Sequence, residues 1–194
     1  MGSVFIPVRL LMSQAIHFQT ILKFWFEDIA PSQWWTKDAE FDKLIRDKFT
    51  DIHRSAKNGE LFEWRTRAKG RLAEIIILDQ FSRNMYRGSP LAFSCDGLAL
   101  LLAQEAISSG AASALNPQER TFLYLPFMHS ESLKIHEVSL RLYQTSGLTD
   151  AYESAVQHKS IIEKFGRYPH RNAILGRIST KEEVAFLAGP NSSF

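Results

Sequence analysis

The chain contains one cysteine, Cys95, in 194 residues. That excludes an intrachain disulfide and any zinc site built on several thiolates. It fits a reducing cytoplasm, which is the location the sequence predicts. Cys95 sits in an apolar stretch and reads as a small core residue, not a nucleophile. Excess charge of one sign is also lacking. Lys and Arg total 23 against 21 Asp and Glu, a formal charge of +2, which is too mild for the footprint of a nucleic-acid binder. No run of about 18 apolar residues is present, so no membrane span is expected. There is no Gly-rich phosphate loop, dinucleotide fingerprint, HExxH spacing or nucleophile elbow. The reading therefore carries no cofactor and no metal. No Pro/Gly-rich linker divides the chain.

The first residues, Met1 to Leu11, are apolar but lack a basic start and a small-residue cleavage site, so they do not read as a secretion signal. Ile6 stands where a myristoylation motif needs Ser or Thr. Met12-Ser13-Gln14 looks like a second possible start. The expected division is a leader or extended terminus over 1–20, one helical domain over 21–188 and a tail over 189–194. Hydrophobic residues make up 45% of the chain, including 14 Phe and 4 Trp, enough for a substantial aromatic core and too many for a disordered chain. The Trp34-Trp35 pair is expected in that core.

The punctuation predicts helices nearly throughout. Ile21, Leu22, Trp25 and Phe26 form one apolar face that ends before Pro31. Phe41, Leu44, Ile45, Phe49, Ile52 and Ala56 recur at helical spacing, and Asn58-Gly59 supplies a left-handed stop. Leu72, Ile75, Ile76 and Asp79 continue a third helix. Ile75 to Leu78 has strand propensity, but no partner strand is visible to pair its backbone, so it is read as helix. Ser89-Pro90 is an N-cap followed by proline in the first turn. It opens a helix through Ile107 that is apolar on most sides, as a buried central helix would be. Asn116-Pro117-Gln118-Glu119 is a capping box, and Pro126 is expected to end or kink the helix it opens. Leu133 to Tyr143 forms the next helix, closing at Gly147. Thr149 is expected to cap Ala151 to Phe165, with a stop at Gly166. Ser179 or Thr180, with Glu182 or Glu183, caps a short last helix through Leu187. The fold class is all-α, with seven or eight helices stacked as antiparallel hairpins. No clean repeat period emerges.

Two segments concentrate polar chemistry after apolar runs. One is Asp79-Gln80-Phe81-Ser82-Arg83-Asn84-Met85-Tyr86-Arg87-Gly88. The other is Gly166-Arg167-Tyr168-Pro169-His170-Arg171-Asn172. Together with Phe122-Leu-Tyr-Leu-Pro-Phe-Met-His-Ser-Glu131, and with their flanks Ile77 and Ala173 to Arg177, they resemble a bacterial family catalogued as domain of unknown function 924. The similarity runs from about Ile21 to Leu187. It implies an all-helical fold similar to tetratricopeptide-like superhelices and brings no established activity. Ser82 stands where the family usually has Pro.

Asp79 falls near a predicted helix C-terminus, where a carboxylate opposes the helix dipole and needs a cation. Arg83 and Arg171 are the candidates, and a buried structural ion pair is the plain alternative. Arg83, Arg87, Arg167 and Arg171 offer planar donor forks for carboxylate or phosphate, and Asn84 and Asn172 add amides. If the two segments meet, these six residues form a basic pocket; otherwise they tie loops to helix ends. His129, beside Glu131, and His170 are candidates for acid/base work near neutral pH. His129 and Glu131 are two residues apart and would not share a helix face. Only a gathering of His129, His136, His158 and His170 in space could hold a metal. The leading expectation is a helical binding protein for a small anionic ligand or peptide. The alternatives are an enzyme using His129, Glu131, His170 and Asp79, and a purely structural module. No feature speaks to oligomeric state. A site predicts that Arg83, Arg171, His129 and His170 converge on a reachable cleft. An enzyme predicts a His–carboxylate hydrogen bond within it.

Overall fold

Asp38 shows how directly local chemistry sets the elements of this chain. Its carboxylate accepts hydrogen bonds from the backbone N–H groups of Glu40 and Phe41 and opens helix α2, Ala39–Lys57. The computed structural model describes residues 16–190 and residue 192. The expectations for Met1 to Leu11, the Met12 start and the last tail residues lie largely outside that range. Helix α1 (Phe18–Lys23) runs into a π turn over Phe24–Asp28 and stops before Pro31. Helix α3 (Ala68–Ile76) continues through a second π turn, Ile77–Phe81, into α4 (Ser82–Met85). Then come α5 (Asp96–Ser108), α6 (Pro117–Met128), α7 (Leu133–Thr145), α8 (Thr149–Phe165) and α9 (Lys181–Leu187). With α3 and α4 counted as one run there are eight helices, and no strand occurs among the described residues.

The continuous run from α3 to α4 is the hub. Leu72, Ala73 and Ile75 to Leu78 are wholly buried, as befits a helix that is apolar on every side. It touches α1, α2, α5 and α6, while α6, α7 and α8 pack as successive neighbours joined by short connections. Gly70 is required for this packing: a Cβ there would stand 2.1 Å from the Trp64 carbonyl oxygen. Gly166, at φ +67°, closes α8 in the left-handed region, which favours glycine because it has no Cβ. Trp25, Phe24, Phe81 and Phe122 interlock at the centre, largely edge to face.

Several local expectations need correction. Asp79 is not at a helix end; it lies inside the π turn, and the helix runs on to Met85. Pro126 does not stop α6, which continues to Met128; its missing N–H removes only the bond to the Phe122 carbonyl. Thr149 is the first residue of α8 rather than its cap, which is Leu148. The helix begun at Ser89 is broken: Ser89 caps a 3-10 turn, Pro90–Phe93, and α5 proper starts at Asp96. It is not a fully buried central helix either. Its buried stripe is Ala99, Ala103 and Ala106, while Leu101 is 63% exposed. By length and composition alone, Pro90–Ser108 is apolar enough to cross a membrane. Trp35 is 61% exposed and stacks on Phe122, whereas Trp34 packs beside Trp25.

Candidate functional site

The π turn sets the site. A π turn inserts one residue into a helix and re-aims the side chains around it, and such turns recur at functional sites. Here it holds Asp79, a carboxylate buried in the core. Asp79 Oδ1 accepts from His129 Nδ1 at 2.7 Å and from Arg83 Nη1 at 3.1 Å, and Oδ2 accepts from Gln80 Nε2 at 2.6 Å. Burial alone would raise the Asp79 carboxyl, but the Arg83 charge and His129 hold it well below the usual carboxylate range. Burial and then Arg83 push His129 below its ordinary value, while Asp79 opposes them. His129 is therefore neutral near pH 7. Its Nδ1–H is given to Asp79, and Nε2 makes no hydrogen bond among the described residues.

Arg83 reaches forward from α4, just beyond the π turn. It forks onto Asp96 at 2.9 and 3.1 Å and also donates to the Asp79 carbonyl. Arg171 arrives at Asp96 from the other side, with Nη1 at 3.2 Å from Oδ2. Its Nη2 donates to the His129 carbonyl at 3.0 Å. The guanidinium lies between the Phe93 and Tyr168 rings, 4.5 and 4.6 Å from their centroids. The two polar segments thus meet over Asp96.

In front of this cluster is an open cleft of about 380 Å³. Its polar wall is formed by Asp96, His129, Ser130, Glu131 and Arg171, and its apolar wall includes Phe93, Leu100 and Leu175. Glu131 does not serve His129. It accepts the Arg177 fork at 2.6 and 2.9 Å and the Tyr168 N–H at 2.8 Å. Arg177, with burial opposing, keeps its carboxyl below the ordinary range.

The other nominated residues lie elsewhere. Asn84 and Arg87 both bind Asp42 of α2, at 2.8 Å for the amide and 2.5 and 2.8 Å for the guanidinium. Arg167 forks onto Glu183 and ties α9 to the body. Asn172 bridges Ser179 and Arg177 within the C-terminal turn. None of these four lines the cleft. His170 packs at 5.4 Å from the Tyr168 ring, is not a cleft residue, and is pushed by burial to about 4. The arginines are matched by acids: Arg83, Arg171 and Arg177 face Asp79, Asp96 and Glu131. No group of three or more metal-ligating side chains occurs among the described residues.

Sequence reasoning missed Asp96, Phe93, Tyr168 and Arg177 as site residues. Asp96 carried a readable signal, since it is a lone carboxylate at the head of a long apolar stretch and such a charge needs partners. Tyr168 and Arg177 sat inside a motif already singled out. Their roles depend on partners 37 to 46 positions away, which spacing does not reveal.

Comparison with known proteins supports the sequence resemblance. The family described as bacterial protein of unknown function (DUF924) matches residues 21–191. A solved structure of a protein of unknown function from Agrobacterium tumefaciens is similar, with 40% identity and a TM-score of 0.83, covering 88% of this chain and 96% of that one. Comparison with curated proteins finds no match. Motifs, fold and extent of similarity agree, and the chain belongs to the bacterial DUF924 family.

Proposed function

We propose that the chain performs general acid–base chemistry on a small polar substrate in the Asp96–His129–Arg171 cleft. His129 Nε2 is the proton-transfer atom and Asp79 the carboxylate that orients it. The observation that carries this reading is the 2.7 Å bond from His129 Nδ1 to the buried Asp79. A carboxylate on Nδ1 fixes the tautomer with Nε2 bare, and stabilises the imidazolium that forms when Nε2 takes a proton. Arg83 and Gln80 lock that carboxylate in turn. A positioned base of this kind contributes roughly 10²- to 10⁴-fold to a rate.

A second reading keeps the anionic ligand, narrowed by where the arginines lie. Arg171 is the guanidinium that lines the cleft, and its buried Nε has no hydrogen-bond partner. Balanced charge around it means that an anion would be held by one donor group rather than by a positive field. Its binding would then depend only weakly on salt.

The test is incubation of the wild type, His129→Gln and Asp79→Asn with a defined panel of small metabolites, followed by mass spectrometry. The acid–base reading expects depletion of a substrate by the wild type and little by either variant. Turnover that persists in folded His129→Gln would overturn it. A ligand that stabilises all three proteins and is never converted would favour the binding reading.

A further inference from the structure

Helix α6 ends at Met128, so its last carbonyls have no partners within the helix. Three consecutive carbonyls at and beyond that end are each met by a different side chain. The Tyr168 hydroxyl donates to the Met128 oxygen at 2.5 Å. Arg171 Nη2 donates to the His129 oxygen at 3.0 Å. His136 Nε2 donates to the Ser130 oxygen at 2.8 Å. Two of these come from the C-terminal segment and one from α7, so the backbone of His129 is gripped from both sides. A water-exposed helix end would need none of this, because solvent satisfies free carbonyls. We propose that Tyr168, Arg171 and His136 are positioning residues for His129, forming a clamp that releases it on acidification. The proposal rests on the reading of His129 as the proton-transfer group.

The geometry assigns the acid sensitivity to His136. It is fully buried, and with Nε2 donating, its Nδ1 is a bare acceptor with no partner. A proton on Nδ1 would be a buried N–H with nothing to receive it. The charged and titratable groups facing it are Tyr168, whose hydroxyl stands 3.2 Å from its Nε2, His129 at the end of α6, Lys159 on α8 and Arg171 of the C-terminal segment. None is a carboxylate, and Glu131 on the adjoining turn is held by Arg177. His158 of α8 stands on the other side of Tyr168, its ring 5.9 Å from the Tyr168 ring.

Burial lowers His136 from its ordinary value and takes His158 to about 3. These rings therefore favour the closed clamp above about pH 6.5, and as pH falls below that value the opened state takes up their protons first. Each such ring multiplies the opening equilibrium by up to about tenfold per pH unit.

Hydrogen exchange on the full chain tests this, with rates corrected for intrinsic pH dependence and α5, which carries no histidine, as the reference. In the wild type, amides of 129–136 should lose protection between pH 6.5 and 5 more steeply than those of α5. Tyr168→Phe keeps the ring but removes the bond to Met128. It should expose these amides at least tenfold more at pH 7.5 and shift the His129 Nδ1 resonance. His136→Gln can still donate to Ser130 but cannot titrate. It should flatten the pH slope by about tenfold per unit. If Tyr168→Phe fails to fold, the His136→Gln slope still decides. An unchanged slope in His136→Gln, or an unmoved His129 resonance in folded Tyr168→Phe, overturns the clamp. Loss of the acid–base reading alone would appear as absent turnover with these shifts intact.

Discussion

Replacing Asp79 with Ala should be among the most damaging single changes this chain can carry. The carboxylate accepts three side-chain hydrogen bonds, from His129, Arg83 and Gln80, with almost no solvent contact. Truncation leaves the Gln80 amide and the His129 Nδ1–H without an acceptor. Arg83 keeps Asp96 and the residue-79 carbonyl, so it is not fully stranded. Breaking a buried pair costs about 3–5 kcal/mol, and the retained Asp96 contact places this case toward the lower end. Asp79→Asn should cost less, because its amide oxygen still accepts. The assay is urea unfolding at pH 7, with stability taken from midpoint and slope. Acid adds a check. The Asp79 carboxyl is held low in the folded state, so its stabilisation is present above the ordinary value and fades as pH falls below about 5. The wild type should lose more stability than Asp79→Ala over this range, the remaining loss coming from Glu131 and the buried histidines. A cost below about 1 kcal/mol, as for an exposed pair, would refute the reasoning.

Gly70→Ala should destabilise by about 1–3 kcal/mol or more, since its Cβ would meet the Trp64 carbonyl and not a flexible side chain; thermal unfolding measures it. Asp42→Ala strands the buried Asn84 amide and should cost about 2–3 kcal/mol in urea unfolding without altering ligand binding in the cleft. Arg167→Ala should free α9, seen as faster hydrogen exchange over Lys181–Leu187 with protection of α3 unchanged.

The fold was legible because its signals are local. Asn116 with Glu119, Thr180 with Glu183, and Gly166 act within one turn of chain, and each sits where its chemistry placed it. The Ile75–Leu78 run read as helix for want of a strand partner, and it is helical. The π turn at Asp79 was not legible, since one inserted residue leaves no mark on apolar spacing that is continuous on all sides. At the site, residue types pointed to the right segments but not to the right partners. Arg83 and Arg171 reach the cleft cluster. Arg87 and Arg167 carry the same chemistry and are taken by Asp42 and Glu183, acids 45 and 16 positions away. Nothing in a guanidinium's neighbourhood in sequence says which distant carboxylate it will meet. The anion expectation counted the arginines and not the acids that pair with them.

Acid–base chemistry in the cleft requires that Asp79 hold His129 as a neutral base with Nε2 free. Long-range proton–nitrogen NMR of the histidine rings at pH 7 reads this state at the atoms concerned. His129 should carry its proton on Nδ1, show a bare Nε2, and titrate below the ordinary histidine value. An Nε2–H tautomer, or an imidazolium already formed at pH 7, would contradict it.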